Sequence, residues 1–83
     1  MNKVVIYTSS FCGYCTAAKT FLTQKGISFK EINISTKPEL RQELYRKWNW
    51  NTVPLVVINN KLVGGYRELV NLDSFNKLDK FLN

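Results

Sequence analysis

The chain has 83 residues, of which 45% are apolar, and twelve Lys and Arg against six Asp and Glu give it a formal charge of +6. That size and composition exclude a disordered segment and predict one domain over residues 1–83, with a core just large enough to hold it. The bases are scattered, so the charge implies weak steering of anionic partners and not nucleic-acid binding, and no run approaches the roughly 20 apolar residues of a membrane span.

Lys3–Tyr7 is β-branched and apolar almost throughout, which predicts a strand buried on both faces. Both cysteines follow at once, in Thr8-Ser9-Ser10-Phe11-Cys12-Gly13-Tyr14-Cys15-Thr16. From Tyr14 to Lys25 the apolar residues fall at helical spacing, Tyr14, Ala17 and Phe21 on one row and Cys15, Ala18 and Leu22 on the next. Gly26 is a natural stop. Ile27–Ile34 reads as a second strand with Ile32 and Ile34 on one face, completing a strand–helix–strand crossover unit.

Ser35 or Thr36 is placed to cap a second helix, with Pro38 in its first turn and Glu39 favouring the dipole. Leu40, Leu44 and Trp48 form its buried stripe, Arg41, Gln42, Arg46 and Lys47 its wet side, and Asn49–Asn51 break the pattern. Val53–Ile58 is a third strand, and Asn59-Asn60 turns it tightly into an antiparallel fourth, Lys61–Val63. Gly64-Gly65 ends that hairpin. Leu69, Leu72, Phe75, Leu78, Phe81 and Leu82 then supply a helical apolar face, interrupted around Asp73–Asn76. The order is βαβαββα: an α/β fold with a four-stranded mixed sheet, helices on both faces, and the thioredoxin-like arrangement expected when CxxC follows the first strand.

A CxxC at a strand-to-helix junction has a chemical consequence. The first cysteine lies where unpaired N–H groups and the helix dipole favour negative charge. Thiolate is the nucleophile, and lowering the pKa from about 8.5 toward neutrality makes a reactive group of an inert one. The second cysteine, one turn on, can attack a mixed disulfide formed on the first. Cys12 is therefore the candidate nucleophile and Cys15 the resolving thiol. Half a zinc site is the competing reading, but a structural site takes four ligands, and the chain has two Cys and no His. No metal is expected. A stabilising disulfide of a secreted domain fits poorly, because so short a loop adds little stability and the amino terminus has no signal-peptide pattern. A reduced, cytoplasmic setting is the expectation.

Three motifs in order, Tyr7-Thr8 leading into Cys12-Gly13-Tyr14-Cys15, then Thr52-Val53-Pro54, then Gly64-Gly65-Tyr66, resemble those of a glutaredoxin over essentially the whole chain. The resemblance implies a cis Pro54 against the cysteines and Val53 pairing through its N–H and C=O with the cysteinyl backbone of glutathione, flanked by Thr52. It implies that Gly65 lets the backbone approach the ligand. The next helix, at Tyr66 and Arg67, would receive the γ-glutamyl carboxylate, a sound partner for a helix start. Tyr14 would face the ligand, and Glu68 stands where an Asp often meets its amino group. There are departures: Ser9 replaces a common lysine, Gly13 a proline between the cysteines, Leu55 a polar residue, and Arg67 a small or acidic one.

The implied activity is a glutathione-dependent thiol-disulfide oxidoreductase that reduces protein disulfides, such as that of ribonucleotide reductase, and glutathione mixed disulfides. Glutathione is co-substrate, no cofactor is tightly bound, and a monomer is expected. Two alternatives stay open. Gly65-Tyr66-Arg67 also resembles the Gly-Phe-Arg of glutaredoxin-like hydrogen donors reduced by thioredoxin reductase. Gly13 is compatible with family members that share a glutathione-ligated [2Fe–2S] cluster between two subunits, with thiolate ligation from the first cysteine.

Overall fold

The computed structural model describes residues 3–82. Its elements are β1 (Val4–Thr8), α1 (Gly13–Gln24), β2 (Lys30–Asn33), α2 (Pro38–Trp48), β3 (Leu55–Ile58), β4 (Lys61–Gly64) and α3 (Tyr66–Ser74), followed by a 3-10 turn at Leu78–Lys80. The sheet runs in the order β2-β1-β3-β4. β1 pairs with β2 in parallel and with β3 antiparallel, and β4 returns antiparallel to β3. This is the expected mixed α/β sheet, with the C-terminal end of β1 aimed at the CxxC segment.

The period-two alternation of strand side chains divides the core into two layers. Val4 and Ile6 of β1, with Val56 and Ile58 of β3, pack against Ala18 and Leu22 of α1 and Leu69 of α3. Leu55 and Val57 face the other way, onto Ile34, just after β2, and Leu44 of α2, with Trp48 and Trp50 alongside. Ile6, Leu22, Ile58 and Leu69 are fully buried, and each contributes about 1.5–3 kcal/mol by leaving water. Two helices thus cover one face of the sheet and one helix the other.

Local chemistry shifts several expected boundaries. β1 is not buried on both faces: Val4, Ile6 and Thr8 are buried while Val5 and Tyr7 are partly exposed. The single helix α2 leaves the second face incompletely covered. β2 begins only at Lys30, because Gly26 (φ 71°) and the Ile27 N–H, bonded to the Leu22 carbonyl, make 27–29 a connector. Neither Ser35 nor Thr36 caps α2. Its N-cap is Lys37, without a side-chain bond, and the Ser35 hydroxyl instead accepts the Ser10 N–H at 2.7 Å. β3 starts at Leu55, one residue after Pro54, which has no N–H to give a ladder. Asn59 and Asn60 both have positive φ (50° and 67°), as a two-residue I′ hairpin requires. The break within the last helical stretch falls where expected, with α3 ending at Ser74 and Asn76 at φ 56°.

Candidate active site

Cys12 is the N-cap of α1, with φ −108° and ψ 108°. Its sulfur takes the place of the usual cap oxygen and accepts the Cys15 N–H at 3.1 Å. The thiol thereby satisfies one of the otherwise unpaired N–H groups of the first turn. The Cys12 thiol also lies 4.0 Å from the Val53 carbonyl, across the bend that precedes β3. Both cysteines are free thiols, but they differ in access: Cys12 is partly exposed, whereas Cys15 is 2% exposed. Burial, reinforced by the hydrogen bond with Cys12, pushes the Cys15 thiol up to about 11. One thiol is thus presented to a partner and the other is held protonated one turn behind it.

At the end of β1, Thr8 is a polar residue that is buried. Its hydroxyl donates to Glu31 Oε2 at 2.8 Å, and Lys19 Nζ meets the same oxygen at 3.1 Å. These two contacts, the Thr8 bond first, hold the Glu31 carboxyl below its usual range. Lys19 and Glu31 line a hollow of about 430 Å3 together with Cys12 and Cys15. The loop before Cys12 is tied to the end of β2 through Ser10, Ser35 and Asn33. Phe11, next to the thiol, stands fully exposed with φ 59°.

On the Val53 side the chain forms a groove of about 320 Å3, lined by Tyr14, Thr52, Val53, Pro54, Gly65, Tyr66 and Arg67. Every residue expected beside the cysteines converges there, although the three segments are far apart in the chain. The Val53–Pro54 peptide bond is cis. Tyr14 is 67% exposed, so it is not helix-start packing, and its ring centroid lies 6.1 Å from that of Tyr66. Gly64 has φ 119°, and a Cβ there would come within 2.9 Å of Glu68 Cγ. Glu68 is engaged with its own helix start: Oε1 accepts the Gly65 N–H at 2.9 Å. Leu55 is buried in the α2-side core, which accounts for an apolar residue after the proline. Ser9 lies on the Cys12–Glu31 side and not in this groove.

Trp50 was not singled out by the motifs. It forms the far wall of the groove, with its Cη2 and Cζ2 edge against Gly64 and Gly65, and its indole N–H is buried without an acceptor among the described residues. The available signal was a large aromatic inside the polar, helix-breaking run Asn49–Asn51.

A cysteine-capped helix after β1, a second thiol one turn on and an X-Pro segment beside the first define a thioredoxin-like dithiol protein. The glutaredoxin family profile matches residues 4–63. A glutaredoxin of Pseudomonas aeruginosa is 47% identical over 83 residues, covering 100% of this chain and 99% of the relative. Glutaredoxin 3 of Escherichia coli is 38% identical over 82 residues, 99% of each. The buckwheat glutaredoxin–glutathione complex superposes with a TM-score of 0.91 at 26% identity, over 98% of this chain and 76% of that one. The chain belongs to the glutaredoxin family and is a thiol-disulfide oxidoreductase.

Proposed function

We propose that the protein reduces protein disulfides and glutathione mixed disulfides at the expense of glutathione. The observation that carries this reading is the groove itself: the partly exposed Val53, an aromatic pair and the start of α3 lie together on one side of the Cys12 sulfur. A cysteinyl peptide laid on Val53 brings its sulfur to Cys12. Its γ-glutamyl carboxylate reaches the α3 start, where N–H groups and Arg67 favour an anion. The solved glutathione complex of the buckwheat relative supports the choice of ligand.

In the proposed reaction Cys12, as thiolate, attacks one sulfur of the substrate disulfide. A Cys12–substrate disulfide forms, and the other half leaves as a thiolate that takes up a proton. Cys15 then loses its proton and attacks the Cys12 sulfur, releasing the second substrate thiol and leaving a Cys12–Cys15 disulfide. Two glutathione molecules restore the dithiol and leave as glutathione disulfide. On a glutathione mixed disulfide, Cys12 takes the glutathionyl group and a second glutathione removes it, so Cys15 is not needed.

The test is turnover of a small glutathione mixed disulfide and of a protein disulfide, with glutathione and glutathione reductase in one arm and thioredoxin reductase alone in the other. Activity in the first arm, lost in Cys12→Ser and kept on the mixed disulfide in Cys15→Ser, is expected. Arg67→Ala should raise the KM for glutathione several-fold. Activity only with thioredoxin reductase would assign the electrons to that donor and make Arg67 part of a protein contact.

A further inference from the structure

A second groove, of about 490 Å3, lies on the opposite side of the Trp50–Val53 segment. Its floor is apolar: Ile34, Leu44 and Leu55 come from the core beneath α2. Its rim carries Arg41 and Arg46, and among the described residues no carboxylate lines it. Among the described residues neither arginine is in an ion pair. An apolar floor under two unpaired cations is complementary to an apolar side chain next to a carboxylate.

Its position supplies the direction. Trp50, Thr52 and Val53 line both this groove and the one beside Gly65. A chain held on the Val53 backbone therefore passes from one to the other. With an amino-terminal γ-glutamyl group at the α3 start, the residues after the cysteine run toward Arg41 and Arg46. A tripeptide has one residue to place there, whereas a polypeptide has several.

We propose that this cleft docks the stretch of a protein substrate that follows its reacting cysteine, selecting an apolar residue followed by acidic ones. The proposal rests on the seating of the cysteinyl backbone on Val53 described above. It makes Arg46 a specificity residue for protein disulfides.

The test uses the reduced protein and synthetic peptides whose cysteine is joined to thionitrobenzoate, read by the absorbance released when Cys12 attacks the peptide sulfur. Cys-Gly-Leu-Glu-Asp should react about tenfold faster than Cys-Gly-Ser-Lys-Lys. Arg46→Glu should remove or invert that ratio, with its fold checked by thermal melting, and Arg46→Gln should lower it. Lys61→Glu makes the same change in net charge at the exposed β3–β4 turn and should leave most of the ratio in place. A peptide with the acidic residues before the cysteine should gain little. Equal loss of the ratio in Arg46→Glu and Lys61→Glu would reduce the effect to long-range steering and overturn the cleft, as would an unchanged ratio in Arg46→Glu. No glutathione is present, so failure of glutathione turnover with this ratio intact would sink the glutathione reading and leave the cleft standing.

Discussion

The buried thiol offers a stability test that needs no substrate. Cys15 is 2% exposed, and burial is the main cause lifting its pKa from an ordinary 9.0 to about 11. The gap of about 2 pH units corresponds to about 2.7 kcal/mol of differential free energy between thiol and thiolate. The sign follows from linkage. Below pH 9.0 both the folded and unfolded chains carry Cys15 as the thiol, and its packing contributes in full. Between 9.0 and about 11 the unfolded chain releases a proton that the folded chain retains, so stability falls by about 1.4 kcal/mol per pH unit. Cys15→Ala removes this term while leaving the other groups that titrate in the same range. Urea denaturation of both proteins under a phosphine reductant, from pH 8 to 11, should give a difference curve that is flat to about 9 and then drops. The expected fall is about 2–3 kcal/mol. A difference flat across the range would show that Cys15 ionises in the folded protein as readily as in the unfolded one, which would refute its burial as an obstacle to attack.

Three further outcomes follow from individual contacts. Thr8→Val keeps the shape of a buried side chain but deletes the bond to Glu31. It should cost about 1 kcal/mol at neutral pH, measured by urea denaturation. Because the Glu31 carboxyl is held below its usual range, that cost should disappear as acid protonates it. Gly64→Ala must put a side chain at φ 119°, with its Cβ 2.9 Å from Glu68 Cγ. A loss of at least about 2 kcal/mol is expected, read as a fall in Tm of roughly 10 °C. Phe11→Gly relieves a left-handed backbone at φ 59° under a side chain that is fully exposed. It should raise stability by about 1 kcal/mol, seen as a Tm several degrees higher.

Much of the fold and the chemistry was legible in the sequence because it rests on local rules. Apolar runs, the 3.6-residue spacing in α1 and α2, the Asn59-Asn60 turn and the thiols at a strand–helix junction each need only neighbours a few residues away. Tertiary structure decided what depends on distant partners. Thr8 reads only as the start of the stretch leading into the cysteines until its hydroxyl meets Glu31, itself paired with Lys19. Ser35 reads as a helix cap, yet the loop before Cys12 takes its hydroxyl. Leu55, an oddity after Pro54 in one dimension, is a core residue in three. Trp50 sits in a run that reads as a break and becomes the wall between two grooves. The sequence determined that Cys12 would stand at the head of a helix with Cys15 one turn behind it. The apolar row of Cys15, Ala18 and Leu22 already turned the second thiol toward the core. Packing determined how completely it was closed off while the first faced a groove, because burial is a property of what the whole chain lays over a residue.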